Sequence, residues 1–243
     1  MSATNRGGSR VNDDFYATES WVVDRFIEAW TNFSWLSAGN WLEPGAGDGA
    51  VIKAVNAHCG ITVPSWTAVE IDPSHTDSLS DVVGIDQVLI ENFLVNDYKA
   101  LTRFDVAMGN PPFALAMEFV RHCRMVARYT VLLLRLDFLA SVKRSAFMRE
   151  DTPNVYVLPN RPSFVISASC AARRNTGCKW ARMFAVKEQN IIPGKCPECG
   201  SAIRFSTTDS CDYAWFVWGP ERRRTGELTV LAETPAEQRS VWK

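Results

Sequence analysis

The sequence predicts one α/β domain, built on a mostly parallel β-sheet with helices on both faces and carrying a small cysteine-rich insertion. Three observations support this fold class. The 243 residues suit a single globular domain, which buries about two thirds to three quarters of its unfolded surface. Short apolar segments alternate with segments of helical periodicity, as in parallel sheets. Five of the seven cysteines fall within residues 165–212.

The two ends of the chain differ in composition from the middle. Residues 1–12 are polar and glycine-rich, and we expect a disordered tail there, ahead of an ordered domain at residues 13–220. Residues 221–243 mix charged residues with threonine and proline and are expected to be loosely ordered. The start lacks the apolar segment of a secretory signal, and no stretch of 18 apolar residues occurs. The sequence therefore predicts a cytoplasmic protein with no membrane partner.

Predicted strands and helices follow one another through the ordered domain. Each strand is a short apolar run, and each helix carries apolar residues on one face, as Trp21, Val22 and Phe26 show in the first helix. The cysteine-rich insertion at residues 165–212 precedes the last strand. The predicted helices are residues 21–30, 50–59, 115–128 and 137–149, and the predicted strands are residues 41–43, 66–71, 87–90, 104–108, 130–134, 154–158 and 213–218.

Charge is distributed unevenly along the chain. Residues 1–100 contain 5 Lys and Arg against 14 Asp and Glu, whereas residues 101–243 contain 21 against 13. The net charge of −1 therefore conceals an acidic first part and a basic second part. A basic surface suits a polyanion, because lysine and arginine supply most contacts to phosphates. A solvated basic surface without such a partner is the alternative.

A glycine-rich loop follows the first predicted strand. Residues 41–49 read W-L-E-P-G-A-G-D-G and lead directly into a helix. Glycines let the backbone turn sharply and approach a ligand closely, with the helix N-terminus behind them. Dinucleotide-binding folds use a related loop, but Glu43 would sit poorly beside a pyrophosphate and well beside a cationic amino acid. We expect a nucleotide-like ligand to contact Glu43, Gly45, Gly47 and Gly49.

This loop resembles the first motif of the class I S-adenosylmethionine-dependent methyltransferases, E/D-x-G-x-G-x-G. The resemblance implies a Rossmann-like fold, with a seven-stranded sheet containing one antiparallel strand, and S-adenosylmethionine as cofactor. In that family the acid matching Glu70 binds the cofactor ribose at the end of the next strand, which also places Ile71 at the cofactor. Residues 14–18 resemble a segment that contacts the methionine part, which implies cofactor contacts from Tyr16 and Thr18.

A further segment resembles the part of these enzymes that contacts the cofactor adenine. Residues 91–94 read E-N-F-L where the family has D-F-L. Asn92 replaces the acid, and its amide oxygen can still accept a hydrogen bond from the adenine amino group. Phe93 is expected either to stack on the adenine or to lie in the core.

The fourth predicted strand ends in Asn110-Pro111-Pro112-Phe113, the predicted catalytic residues. The two prolines fix the backbone and remove donors, so that acceptors point in one direction. If the Asn110 side-chain oxygen and the Pro111 carbonyl each accept one N–H of an aromatic amine, the nitrogen lone pair turns toward a methyl donor. Asn110 would then also contact the cofactor. Phe113 would stack on a base that has been flipped out of a duplex.

This tetrapeptide resembles motif IV of the amino-methyltransferases. The order of the motifs is that of the γ-type and phage-encoded DNA N6-adenine methyltransferases, and the resemblance extends over residues 13–218. It implies DNA as the partner, adenine N6 as the methyl acceptor, and a setting in restriction-modification or in phages. In that comparison the target base is contacted by Phe113, Arg161, Ser163 and Phe164.

The cysteine-rich insertion carries a candidate metal site. Residues 196–200, C-P-E-C-G, resemble a zinc-ribbon knuckle, which supplies two thiolates to a tetrahedral zinc ion. A short, basic segment has little core of its own and would gain stability from a structural zinc. Free thiols are the alternative, and a folded insertion would offer DNA a basic surface. The predicted ligands are Cys170, Cys178, Cys196 and Cys199, with Cys211 as the alternative ligand.

Other functions are compatible with the same motifs. RNA and protein-glutamine methyltransferases share the N-P-P-aromatic sequence, although the glutamine-modifying enzymes usually have a longer helical domain before the cofactor loop. Asn92 is the one feature that favours a catalytically inactive, nucleic-acid-binding protein on this fold. A nicotinamide-dependent oxidoreductase is disfavoured because no residue set for hydride chemistry accompanies the loop.

Overall fold

The structure, a computed structural model, describes residues 18–30, 33, 38–96, 98, 103–172, 177–185, 192–206, 211–220 and 226–239. The chain divides into two compact units. The larger unit contains Thr18–Pro162 and the chain from Cys211 onward, and the smaller unit contains the described part of Ser163–Ser210. Each unit is built on a sheet of its own.

The secondary structure of the described residues is as follows. The strands are β1 (Asn40–Pro44), β2 (Ser65–Glu70), β3 (Val88–Ile90), β4 (Phe104–Gly109), β5 (Ala127–Arg135), β6 (Asn154–Val157), β7 (Val165–Cys170), β8 (Ala181–Ala185), β9 (Ile203–Ser206), β10 (Tyr213–Trp218) and β11 (Leu228–Val230). The helices are α1 (Ser20–Ala29), α2 (Ala50–His58), α3 (Thr76–Val83), α4 (Ala116–Val126), α5 (Ser145–Glu150) and α6 (Ala236–Arg239). Short 3-10 turns lie at Pro73–His75, Ile85–Gln87, Phe113–Leu115 and Leu136–Leu139.

An eight-stranded sheet forms the centre of the larger unit, in the order β11-β6-β10-β5-β4-β1-β2-β3. Strand β10 runs antiparallel to both neighbours, and the other pairs in this sheet are parallel. The predicted α/β class, with a mostly parallel sheet and one antiparallel strand, is confirmed. All seven predicted strands are present in it.

The eighth strand corrects the expected count of seven. Strand β11 pairs in parallel with β6 at the edge of the sheet, with Leu228 opposite Val155 and Val230 opposite Val157. It lies, with α6, in the segment that was expected to be loosely ordered. The three side chains of β11 are exposed, and a run of three residues is too short for the apolar periodicity by which strands are recognised.

The single helix predicted at residues 137–149 is also wrong. It is divided into the 3-10 turn Leu136–Leu139 and the later helix α5. Arg144 explains the interruption, because its guanidinium donates to the carbonyl oxygens of Phe138 at 2.8 Å and Asp137 at 3.2 Å. The Phe138 carbonyl is therefore bound by a side chain where a continuous helix would bind it with a backbone N–H group. The Asp137 carbonyl also accepts from the Ala140 N–H at 3.0 Å, within the 3-10 turn. No helix among the described residues is long and apolar enough to cross a membrane.

Helix α1 is fixed to the sheet by its apolar face. Val22 and Phe26 are buried because their spacing places them on the same side of the helix. The Phe26 ring stacks on Trp215 of β10 with 5.1 Å between centroids, and the Trp215 indole N–H donates to the Val22 carbonyl at 2.9 Å. Since α1 begins at Ser20, this packing also restrains Thr18, which lies two residues before the helix.

The carboxyl ends of β1, β2 and β4 meet at one edge of the parallel sheet. A Cβ atom placed on Gly109, the last residue of β4, would lie 3.3 Å from the Pro44 carbonyl oxygen and 3.6 Å from Cγ of Glu43. The ends of β1 and β4 are therefore in direct contact. Ligands of open α/β sheets bind at this edge.

The smaller unit is a three-stranded antiparallel sheet in the order β8-β7-β9. Among the described side chains of this unit, Ala168 is buried and packs against Trp180, Ile192 and Ile203.

Candidate active site and metal centre

The glycine-rich loop joins β1 to α2. Gly45, Gly47 and Gly49 have φ angles of 68°, 54° and 74°, a region that residues with a side chain rarely adopt. The loop is held in place by β2, because the N–H groups of Gly45 and Ala46 donate to the Val69 carbonyl at 2.8 and 3.0 Å. The sequence thus uses glycine where the turn requires it.

Glu70 is held at the end of β2 by three backbone N–H groups. Its Oε2 accepts from Gly47 at 2.7 Å, and its Oε1 accepts from Ile71 at 2.8 Å and Asp72 at 2.9 Å. The carboxylate is therefore fixed beside the glycine loop, and its oxygens retain capacity for further hydrogen bonds. The neighbouring Ile71 is 60% exposed and offers an apolar surface at the same place.

Glu43 is a buried carboxyl group at the end of β1, with 2% of the residue exposed. Burial raises its pKa well above the usual value, and the negative charges of Asp48 and Glu70 raise it further. Oε2 of Glu43 is buried and has no hydrogen-bond partner among the described residues. A buried carboxylate is costly unless it is paired, so the chemistry of this atom suits a cationic ligand.

The tetrapeptide Asn110-Pro111-Pro112-Phe113 lies directly beside the glycine loop. A Cβ atom placed on Gly45 would lie 4.0 Å from Cδ of Pro112. Nδ2 of Asn110 donates to Oγ1 of Thr18 at 3.1 Å, and Thr18 is 7% exposed. The structure therefore brings together three of the segments that the sequence analysis selected. Tyr16, from the same upstream segment as Thr18, lies outside the described residues.

Phe113 is in contact with two residues that the sequence analysis missed. Its ring centroid lies 5.4 Å from that of Tyr213, and the guanidinium carbon of Arg135 lies 5.1 Å from the Phe113 centroid. Arg135 and Tyr213 are cross-strand partners at the ends of β5 and β10. Their only sequence signal is their position at the ends of predicted strands, because the pairing of these strands is not local.

The two residues proposed to contact the cofactor adenine lie in different environments. Phe93 is 3% exposed, and its ring packs against Phe119 at 5.4 Å and His122 at 4.5 Å. Phe93 was expected either to stack on the adenine or to lie in the core, and the structure shows it in the core. Asn92 is exposed, and its Oδ1 accepts from the Leu94 N–H at 3.0 Å.

The residues expected near the target base belong to both units. Arg161 is in the larger unit, where its Nε donates to Oδ1 of Asp212 at 2.7 Å. Both side chains of this ion pair are about half exposed. Ser163 and Phe164 belong to the smaller unit, and Phe164 is buried.

Similarity to known proteins is found in the three-dimensional structure. No family model and no curated protein matches the sequence. The methyltransferase subunit of a type I restriction-modification system from Streptococcus thermophilus superimposes with a TM-score of 0.56 at 11% identity, covering 92% of this chain and 51% of that chain. The chain has the Rossmann-like fold of methyltransferases.

Other solved methyltransferases are similar at lower scores. A putative RNA methyltransferase from Pyrococcus horikoshii has a TM-score of 0.48 at 13% identity, covering 89% of this chain and 93% of that chain. A putative class I S-adenosylmethionine-dependent methyltransferase from Listeria monocytogenes has a TM-score of 0.49 at 11% identity, covering 87% of this chain and 62% of that chain. In this methyltransferase fold, the glycine loop and the tetrapeptide occupy the carboxyl edge of the parallel strands.

Four cysteines of the smaller unit form a compact group. Their Sγ atoms all lie within 4.8 Å of one another, with 3.4 Å between Cys170 and Cys199 and 3.7 Å between Cys178 and Cys196. A tight turn brings the knuckle together, because the Gly200 N–H donates to the Cys196 carbonyl at 2.8 Å. Hydrogen bonds from Ser201 lower the pKa of Cys199 to about 6.

The composition of this group distinguishes between the predicted ligands. It consists of Cys170, Cys178, Cys196 and Cys199, the four that the sequence analysis preferred. Cys211, the alternative ligand, is not part of the group that the described residues form, and it belongs to the larger unit.

Proposed function

We propose that this protein transfers a methyl group from S-adenosylmethionine to the N6 amino group of adenine in DNA. One observation carries the proposal: Pro112 of the Asn-Pro-Pro-Phe sequence lies against Gly45 of the glycine loop, at the carboxyl edge of a methyltransferase sheet. A group that activates an amine is therefore adjacent to a loop suited to a nucleotide-like methyl donor.

The cofactor is proposed to lie along the glycine loop, and the side chains around it fit its chemical groups. The buried Glu43 oxygen suits the ammonium group of the methionine part, because a desolvated carboxylate gains most from a positive partner. Glu70 would accept from the ribose hydroxyls, and Asn92 from the adenine amino group. The exposed Ile71 would cover one face of the adenine.

The protein contributes to methyl transfer by orienting the acceptor amine. The Asn110 Nδ2 atom is engaged with Thr18, which directs Oδ1 of the same amide toward the substrate amine. Oδ1 and the Pro111 carbonyl would each accept one N–H, and the nitrogen lone pair would then point at the methyl group. The sulfonium of the bound cofactor supplies that methyl group in activated form. As the new N–C bond forms, the C–S bond breaks, and the amine releases one proton to solvent. Because the methyl donor is already activated, positioning supplies most of the catalysis.

DNA is proposed as the substrate because of charge and motif order. The second part of the chain is basic, which suits a phosphate backbone. The Streptococcus thermophilus neighbour is named as a subunit of a restriction-modification methyltransferase, which favours a nucleic acid over a protein. Phe113 would stack on the flipped adenine, with Arg161 as a further contact.

A nucleoside analysis tests this proposal. The purified protein is incubated with deuterated-methyl S-adenosylmethionine and, in parallel, with duplex DNA, single-stranded DNA, RNA or a glutamine-containing protein. We expect labelled N6-methyladenine in DNA, and Asn110→Ala should lower the rate by at least about a hundredfold. Label in RNA or in glutamine alone would contradict the DNA assignment, and no transfer to any acceptor would favour a binding protein.

We further propose that the four-cysteine group binds a structural zinc ion. Tetrahedral zinc with Zn–S distances of about 2.3 Å requires Sγ atoms about 3.8 Å apart, and the cysteine group has sulfur distances of 3.4 and 3.7 Å. A unit as short as Ser163–Ser210 would also gain stability from a structural metal ion. Four thiolates would fill the coordination sphere, so the zinc would hold the fold together and take no part in methyl transfer.

A further inference from the structure

The Phe113 ring is in contact with two residues from neighbouring strands. Tyr213 lies beside it with a centroid distance of 5.4 Å and an interplanar angle of 43°. The Arg135 guanidinium lies over the ring at 5.1 Å from its centroid, where a cation is attracted by the negative face of the aromatic system. Arg135 and Tyr213 are paired in the antiparallel register of β5 and β10.

Tyr213 is a rigid neighbour of the Phe113 ring. The residue is fully buried, and its carbonyl oxygen accepts from the Leu158 N–H at 3.0 Å. The adjacent Asp212 carbonyl accepts from the Leu136 N–H at 2.8 Å. The start of β10 is therefore tied to chain segments on both sides, and its tyrosine ring has little freedom to move.

Phe113 needs such neighbours if it is to act as a stacking surface. The two preceding prolines fix their own φ angles, and Phe113 begins a 3-10 turn, but neither of these restrains the torsion angles of the Phe113 side chain. An aromatic side chain that becomes ordered only when the substrate binds contributes less to binding, because its loss of conformational entropy opposes binding. Phe113 is only partly buried, so part of its surface faces solvent while Arg135 and Tyr213 contact the ring.

We propose that Arg135 and Tyr213 are positioning residues that hold Phe113 in the orientation needed to stack on the flipped adenine. This inference rests on the proposed function of the site. Neither residue has to contact the substrate for this role. The antiparallel strand β10 thereby contributes to the catalytic site, because it supplies Tyr213, one of the two residues that hold the Phe113 ring.

The test compares two arginines of the same strand. Arg128 lies at the opposite end of β5, with its guanidinium 5.7 Å from the Tyr129 centroid, so Arg128→Gln removes the same kind of contact away from the site. The variants Arg135→Gln, Arg135→Lys and Arg128→Gln are assayed for methyl transfer on DNA with adenine at the target position. Base flipping is followed separately on the same DNA with 2-aminopurine, which lacks the 6-amino group, in place of that adenine. The readouts are kcat, KM for DNA, affinity for S-adenosylmethionine, thermal stability, and 2-aminopurine fluorescence.

We expect Arg135→Gln to lower kcat by about tenfold and to change the fluorescence of the flipped base, with unchanged cofactor affinity. Arg135→Lys should recover part of the loss because it retains a cation, and Arg128→Gln should match the wild type. Tyr213→Leu removes the ring and should lower kcat in the same way, whereas Tyr213→Phe retains the ring and should recover part of that loss.

Wild-type kinetics and fluorescence for Arg135→Gln would overturn the inference while leaving the proposed function intact. A lower KM for DNA in this variant would also overturn it, because Arg135 would then occupy the place of the base. A wild-type protein that methylates no DNA would overturn the proposed function and the inference with it.

Discussion

Asn110 donates from Nδ2 to the hydroxyl oxygen of Thr18 at 3.1 Å. This hydrogen bond joins the segment before α1 to the end of β4, and it decides which end of the Asn110 amide faces Thr18. The proposed acceptor, Oδ1, is the other end. A residue far away in the sequence thus sets the orientation of the group that is proposed to activate the amine.

Thr18→Val tests this relationship, because valine has the shape of threonine without the hydroxyl. Loss of one hydrogen bond of about 1 kcal/mol should lower the single-turnover rate of methyl transfer by about fivefold. Thr18→Ser retains the hydroxyl and should keep most of the activity. Equal rates for the valine variant and the wild type would show that Thr18 does not orient Asn110.

Glu43→Gln tests the role of the buried carboxyl group in cofactor binding. Glutamine cannot pair with the ammonium group of the methionine part, so affinity for S-adenosylmethionine should fall by about tenfold or more. Isothermal titration calorimetry measures the change. An unchanged affinity would mean that Glu43 does not contact the ammonium.

The same variant should change how stability depends on pH. Because burial raises the pKa of Glu43, the folded protein binds this proton more tightly than the unfolded chain does. The resulting stabilisation is fully present below the unfolded pKa of about 4.3 and is lost as the pH rises through the folded pKa. Without cofactor, Glu43→Gln should therefore melt at a higher temperature than the wild type at about pH 8, and this advantage should shrink toward about pH 5. A difference that does not vary with pH would contradict this assignment.

Gly49→Ala tests the requirement for glycine in the loop. Gly49 has a φ of 74°, and an added Cβ would lie 3.3 Å from Cδ2 of Leu79. Gly84 is a matched control, because its φ is 86° and an added Cβ would meet nothing within 4 Å. We expect denaturant unfolding to show a loss of about 1 kcal/mol for Gly84→Ala and a larger loss for Gly49→Ala. Only Gly49→Ala should weaken cofactor binding.

The cysteine group predicts one zinc ion per chain in the purified protein, as measured by inductively coupled plasma mass spectrometry. Cys170→Ser and Cys196→Ser should lose the metal and lower the melting temperature, because binding and folding of this unit are coupled. Cys211→Ser should retain it, since Cys211 is outside the group that the described residues form. A metal-free wild type with four titratable thiols would favour the free-thiol alternative.

The parts of the fold that could be predicted are those encoded by local pattern. Strands such as β4 and β5 contain apolar runs, at residues 106–108 and 131–134, because these residues are buried in the sheet. The exposed β11 carries no such pattern. The break between the turn at Leu136–Leu139 and α5 depends on Arg144 binding two carbonyl groups, and helical periodicity does not report such a contact.

The candidate site divides in the same way. The glycine loop, Glu70 and the tetrapeptide are short motifs whose residues act together because they are adjacent in sequence or follow parallel strands. The contacts of Phe113 with Arg135 and Tyr213 depend on the antiparallel pairing of β5 with β10. That pairing joins segments separated by the cysteine-rich unit, so no local pattern indicated it.

The central claim is that the tetrapeptide and the cofactor loop form one catalytic site. A crystal structure with bound S-adenosylmethionine tests it most directly. The account predicts a sulfonium methyl group that faces the Asn110 side-chain oxygen and the Pro111 carbonyl, with the ammonium group beside Glu43. A cofactor bound elsewhere, or a methyl group directed away from Asn110, would contradict it.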